Sequence, residues 1–177
     1  MTQDTILRLM IIILLLPLLS FVINIFWGKK LGKASSIIGS SILGIDLILA
    51  IIVFVGKYFS FPNVDYLQLK FEWFNLGHIK IMVGVGGDNV AVVMLMVVTI
   101  ISFLVHLFST EYMAGDVRFS RYYAYLGLFT FSMLGIVIAN NFLFMYIFWE
   151  LVGISSYLLI GFWYKKIQQP MQVRRHF

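Results

Sequence analysis

The sequence predicts an all-α integral membrane protein with about five transmembrane helices and a short extracytoplasmic β-hairpin between the second and third. Three observations predict it. Hydrophobic residues make up 61% of the 177 and charged residues only 12%, with a mean hydropathy of +0.95, against ~45–50% apolar and ~25% charged in soluble domains. Five apolar runs approach the ~20 residues with which a helix crosses the hydrocarbon core. One stretch between them alternates apolar and polar residues, as a half-exposed strand does.

The first span is expected at Ile6–Trp27. It is too long for a signal-peptide core, and no small-residue cleavage site follows. Pro17 lies inside it, where a kink is tolerated if neighbours re-satisfy the freed carbonyl. The second span is expected at Ala34–Val55. In "YLQLKFEW", Leu67, Leu69, Phe71 and Trp73 alternate with Tyr66, Gln68, Lys70 and Glu72, and after "NLGH" the alternation resumes in "IKIMV". That reads as a hairpin lying on one membrane surface. "GVGGD" then turns the chain into the third span, Val90–Phe108, with Asp88 as its N-cap. No Lys-Ser or Lys-Thr follows these glycines, so a phosphate-binding loop is the poorer reading. The last two spans are expected at Tyr122–Ile138 and Phe142–Phe162. Isoleucine and phenylalanine carry no penalty here, because a helix is the one open-chain way to satisfy the backbone in lipid.

Charge gives the orientation. Nine of the 13 lysines and arginines follow the first, third and fifth spans: Lys29, Lys30, Lys33, Arg118, Arg121, Lys165, Lys166, Arg174 and Arg175. The other four, Arg8, Lys57, Lys70 and Lys80, lie on the opposite side. Cytoplasmic loops carry the excess of positive charge, so the N-terminus and hairpin are placed outside and the tail inside. The net charge of +5 is then a matter of topology, with no nucleic-acid partner required. The absence of cysteine excludes disulfides, thiol catalysis and thiolate metal sites. No zinc ligand set, catalytic triad or nucleotide fingerprint is present, so no catalytic or metal site of the soluble-enzyme kind is expected.

Ionisable residues inside the spans carry the chemistry that remains, since charge at mid-membrane is costly and is kept for transport or relay. Arg8 is near enough to a helix end to reach water as an anchor. Asp46, deep in the second span, reads equally as a protonated acid bonded to a neighbouring helix or as a functional group. His106 sits in the last turn of the third span, where it favours the negative helix end. Glu150 is the strongest candidate. At ~100° per residue, Tyr146, Gly153, Ile154, Tyr157 and Gly161 fall within about 60° of it. Glycines let another helix approach, so this is expected to be a packing face on which tyrosine hydroxyls or water solvate the acid. Burial and a nearby cation oppose one another in setting such a group's proton affinity, so moving the cation moves the proton.

The segment "STEYMAGDVRFSRYYAYLGLFTFSMLGIVIANNFLFMYIFWELVGISSYLLIGFWY" resembles the large antiporter-like subunit of respiratory complex I, the subunit L or chain 5 type of NADH–quinone oxidoreductase. "LLLPLLSFVINIFWGKKLG" is similar to that family's first helix and loop, and the hairpin before Asp88 to its third-helix entry. The likeness runs from about residue 6 to 164. Its most specific part is Trp149-Glu150-Leu151-Val152-Gly153 followed by Ser155-Ser156-Tyr157-Leu158-Leu159-Ile160-Gly161.

The resemblance implies that Glu150 belongs to a proton channel of a membrane arm and works with a lysine on a later helix. It also makes His106, Asp88 and Arg121 family positions without assigning them a catalytic role, whereas Asp46 lies outside the pattern. It implies other membrane-arm subunits, lipid and protons as partners, and a bacterial-type inner membrane as the location. No cofactor is expected in this chain. NADH, flavin, iron–sulfur clusters and quinone would belong to other subunits.

Two departures qualify the resemblance. The family continues for hundreds of residues, and "KIQQPMQVRRHF" does not resemble its next stretch, so residues 1–164 are expected to be the transmembrane part and 165–177 a basic cytoplasmic tail. A frameshift or stop after Lys166 would account for both. The alternatives are the large subunit of a multisubunit Na⁺/H⁺ antiporter and an inert or assembly-only membrane fragment.

Overall fold

A computed structural model describes residues 3–32, 34–61, 63, 67–112 and 119–175. Tyr66 of the alternating stretch, and Lys33 and Arg118 of the charge count, lie outside the described residues. The elements are α1 (Gln3–Leu31), α2 (Ala34–Ser60), β1 (Leu67–Asn75), β2 (Lys80–Gly87), α3 (Asn89–Tyr112), α4 (Phe119–Ile138) and α5 (Phe142–Arg175). All five helices are long and apolar enough to cross a membrane.

Helix ends run past the expected spans in every helix, and in two of them this changes the reading. α2 continues to Ser60, which brings Lys57 inside the second apolar helix. α5 continues beyond Phe162 to Arg175, so the backbone of the stretch expected as a separate tail extends the helix. Pro170 lacks the N–H for one rung of the ladder, yet the helix continues past it, and a drop in hydropathy alone does not end a helix.

Helices α1 to α4 form a bundle in which α1 lies against α2 and α4, and α3 closes on α2 and α4. α5 packs on α4 from outside. Apolar side chains such as Ile12, Ile48, Ile101 and Leu104 point outward, as they must where lipid is the solvent. Lipid tails are as apolar as leucine, so close packing and hydrogen bonds hold such helices together. Gly127 shows the packing term. A β-carbon there would lie 3.0 Å from the Pro17 carbonyl oxygen and 3.2 Å from the Phe21 nitrogen, so α4 touches the α1 backbone at its proline. At the far end of the same contact, Ser120 donates to the Gly28 carbonyl at 2.7 Å and shares a 2.9 Å hydrogen bond with Ser35. Exposed aromatics stand near both ends of the bundle, Tyr58 and Phe59 at one and Phe26 and Trp27 at the other, the depth at which such rings sit between lipid and water.

β1 and β2 pair antiparallel from Leu67 opposite Gly87 to Asn75 opposite Lys80, with a register irregularity between Glu72 and Phe74. The Asn75 side chain accepts from the Gly77 amide at 3.1 Å, and Gly77 takes a φ of 81° that a side chain disfavours. β2 lies across one end of the bundle. Val85 joins the core of Ile6, Met10, Val92, Leu134 and Ile138 and bridges to Ala139. This is the strand end; the other, carrying the α1–α2 connection, is the turn end.

The interior is divided along its length. From its middle to the strand end it buries mostly apolar side chains, Ile13, Ala50, Val53, Leu95 and Leu134, together with Lys57, Thr130 and Ser132. From its middle to the turn end it is polar: Ser20 and Asn24 on α1, Ser36 and Asp46 on α2, Ser102 and His106 on α3, Tyr123 on α4, all buried.

Candidate proton-relay residues

Glu150 stands at the ninth position of α5, on a side of the helix that nothing in the described residues covers. Glu150, Tyr146 and Tyr157 are exposed, and β-carbons built at Gly153 and Gly161 would meet nothing within 4 Å. The expected packing face is therefore bare among the described residues. The opposite side of α5 explains why: Phe148 is buried and makes edge contacts with Phe131 and Phe144 at ring distances of 5.3 and 4.7 Å. The aromatic side seats the helix on α4 and leaves the acid side outward. Tyr146, one turn earlier, lies on the same side of the helix as Glu150. An acid followed on its own face by two glycines is a group another helix can reach.

Asp46 is wholly buried, and neither carboxylate oxygen has a hydrogen-bond partner. His106 is also wholly buried, a turn and a half before the end of α3 rather than in its last turn. The helix runs four residues past the expected Phe108 to Tyr112, so the expected pairing with the negative helix end gives way to an interior position. Its Nδ1 lies 2.7 Å from the Ser102 carbonyl oxygen. A carbonyl only accepts, so Nδ1 carries a hydrogen, and Nε2 has no hydrogen-bond partner among the described residues. Tyr123 donates to the His106 carbonyl at 2.7 Å, and the two rings lie 5.7 Å apart. A β-carbon at Gly39 would stand 3.0 Å from Tyr123, 3.6 Å from His106 and 3.6 Å from the Ser20 hydroxyl, which places four helices around one polar layer.

Asp88 caps α3, its carboxylate accepting from the Ala91 amide at 2.8 Å. Arg121 is exposed near the turn end of α4, as Arg8 is near the strand end of α1.

Sequence reasoning missed two features. Lys57 is 2% exposed and donates to Asn89 at 3.0 Å, where the charge count took it for a loop cation. The polar half of the bundle was also missed. Its signal was present as Ser20 and Asn24 one turn apart on one helix, and Ser102, His106 and Ser109 at helical spacing on another. No group of three or more His, Cys, Asp or Glu able to hold a metal ion occurs among the described residues.

Residues 73–123 match the family described as NADH-Ubiquinone oxidoreductase (complex I), chain 5 N-terminus. Residues 139–170 match NADH:quinone oxidoreductase/Mrp antiporter, TM, a range that holds Glu150. The chain is 40% identical over 156 residues to NADH-ubiquinone oxidoreductase chain 5 of Podospora anserina, covering 88% of this chain and 24% of the relative. It is 39% identical over 159 residues to the same-named chain of Metridium senile, covering 89% of this chain and 26% of the relative. The Neurospora crassa protein named "Probable intron-encoded endonuclease 4" is 39% identical over 156 residues, 88% of this chain and 28% of that protein. The chain spans about a quarter of the length of the chain 5 relatives it matches. In sequence it resembles the N-terminal part of the antiporter-like chain 5.

Proposed function

Starting from that likeness to chain 5 of complex I, we propose that this stretch is part of a proton-translocating, antiporter-like subunit in the membrane arm of an NADH:quinone oxidoreductase. The observation that carries the reading is Glu150, an acid near the middle of an apolar helix on a face left open by the other described residues. Helices packed on the Gly153–Gly161 side would enclose it, and a cation on one of them would change the carboxylate's hold on its proton as it approached or withdrew. The chain's own part is to hold and release a proton at the Glu150 carboxylate. This stretch alone, without the lysine partner, is read as inactive.

Electron transfer from NADH would take place elsewhere, and flavin, iron–sulfur clusters and quinone would be held by other subunits. The other membrane-arm subunits, lipid and protons are the partners. The nine-to-four division of lysine and arginine supports an N-terminus and strand end outside and α5 ending in the cytoplasm.

The second reading is a subunit of a multisubunit Na⁺/H⁺ antiporter, because the description matched by residues 139–170 names both. Vesicles holding the complete assembly, with this stretch in its chain 5, separate the two. Proton uptake driven by NADH oxidation and unaffected by omitting Na⁺ is expected. Exchange that needs Na⁺ and ignores NADH would transfer the assignment to the antiporter.

A further inference from the structure

The corner between α4 and α5 is fastened to the hairpin at two points. The backbone of Ala139, just past the end of α4, pairs with Val85 of β2. Two residues on, the Asn141 side chain is used twice. Its oxygen accepts from the Phe144 amide at 2.7 Å, and its amide nitrogen donates to the Met82 carbonyl of β2. The first bond caps α5, whose ladder opens with the Met145 amide on the Asn141 carbonyl at 3.0 Å. A cap needs only an oxygen, which serine, threonine or aspartate supplies as well. The donor is what asparagine adds, and here it reaches the strand.

Strand β2 is a fixed reference at this corner. Val85 is buried in the core that Ile6, Met10, Leu134 and Ile138 also build, and Met82 is three residues away, about 10 Å along the strand. The carboxamide of Asn141 is planar, so its acceptor on α5 and its donor on β2 hold a set angle between helix and strand. α5 is the least buried of the five spans. Its ring contacts with α4, Phe148 on Phe131 at 5.3 Å and Phe162 on Tyr122 at 5.5 Å, hold it close but lack the directionality of a hydrogen bond. Glu150 lies nine residues beyond Asn141, about 13 Å along a continuous helix and, at ~100° per residue, on its opposite side. A rotation or slide of the first turn is carried along the helix to the acid.

We propose that Asn141 is a positioning residue for Glu150: through its bond to Met82, the hairpin sets the height and rotation at which α5 presents the carboxylate to the helices that enclose it. This role rests on the Glu150 reading and deepens it. No described element packs against Glu150, and Tyr146 and Tyr157 are the titratable groups on its own side of α5. Misplacement by about 1 Å costs up to a hundredfold in rate where reacting groups must meet, so proton transfer should register a shift of α5 before assembly does.

Asn141→Asp and Asn141→Ser separate the two bonds. Both keep a capping oxygen, but aspartate has no hydrogen for Met82 and serine is too short to reach it. In the full-length chain within the intact complex, both variants are expected in normal yield, with amide exchange in the first turn of α5 near normal. Exchange at Val85 and Ala139 should be at least about threefold faster. Proton uptake per NADH oxidised should fall at least about threefold, and the pH of half-maximal uptake should move. Unaltered exchange at Val85 and Ala139 would remove the tether. Faster exchange with unaltered uptake and pH profile would remove its role. If Asn141 acts through the acid, Asn141→Asp combined with Glu150→Gln loses no more uptake than Glu150→Gln alone; a further loss overturns the positioning role. Normal uptake by Glu150→Gln alone would instead overturn the Glu150 reading, and this role with it.

Discussion

The Phe148 ring of α5 is seated against Gly135 of α4 so closely that a β-carbon on the glycine would lie 2.2 Å from two ring carbons. This is the contact that turns the apolar side of α5 inward and leaves Glu150 outward. Gly135→Ala forces the ring out of its place, and overpacking of this kind costs about 1–3 kcal/mol. The expected readout is a lower midpoint of thermal unfolding in detergent. Adding Phe148→Ala should recover part of the loss, a coupling that distant sites do not show.

Lys57 and Asn89 form a second test. Lys57 is 2% exposed, and its ammonium donates to the Asn89 side chain at 3.0 Å and to the Phe61 carbonyl at 3.5 Å. Removing the acceptor by Asn89→Ala leaves a buried cation short of a partner and should cost about 1.5–3 kcal/mol, the range for hydrogen bonds to charged groups. Lys57→Met removes charge and need together in a similar volume and should cost less. Denaturant midpoints in the order unaltered, Lys57→Met, Asn89→Ala check this; the reverse order of the two variants would count against it.

Asp88 gives a smaller effect of known sign. Its carboxylate caps the Ala91 amide at 2.8 Å, and loss of such a cap costs about 0.5–2 kcal/mol. Asp88→Ala should speed amide exchange in the first turn of α3. Asp88→Asn, which caps as well, should leave it near normal.

Much of the fold was legible because lipid makes the code simple. Each apolar run of sufficient length became a helix, and the period-two run through Leu69 and Phe71 became β1. Helix ends were less legible, since α2 carries Lys57 and α5 carries Lys165 without interruption, and helices do not stop where hydropathy falls. Glu150 was found because a lone acid stands out in an apolar run. The face beside it was read from its glycines, but not that it would be bare, because covering a face is a property of other segments. The buried polar layer was hidden for another reason. Serine and threonine bond their own helix backbone, as Thr99 does to Leu95 at 2.9 Å, so a polar stripe does not reveal in sequence whether it faces a neighbour, water or its own carbonyls.

Orientation is tested by reporter fusions after Gly77, in the turn between β1 and β2, and after Lys166 in α5. The two positions are separated by an odd number of helices, so they should report opposite compartments, with Lys166 cytoplasmic. Both reporters on one side would remove a span.

Glu150 carries the last expectation, in a full-length assembled chain containing this stretch. It stands at the ninth residue of a 21-residue apolar window, so at ~1.5 Å per residue it is at least about 12 Å from either end. Direct exchange with bulk water is excluded at that depth once neighbouring helices cover the face. Protons must then arrive along side chains or ordered water on the glycine–tyrosine side. Glu150→Gln keeps size and hydrogen bonding and removes titration. Glu150→Asp keeps the acid and withdraws it by one methylene. If the carboxylate relays protons, the Gln variant should assemble in normal yield and lose most NADH-driven pumping, while Asp retains a measurable part. If it serves packing alone, both variants pump once assembled and the defect appears in yield. Pumping is to be followed by dye quenching in vesicles and yield by the amount of intact complex. Normal pumping by a fully assembled Gln variant would take Glu150 out of the mechanism.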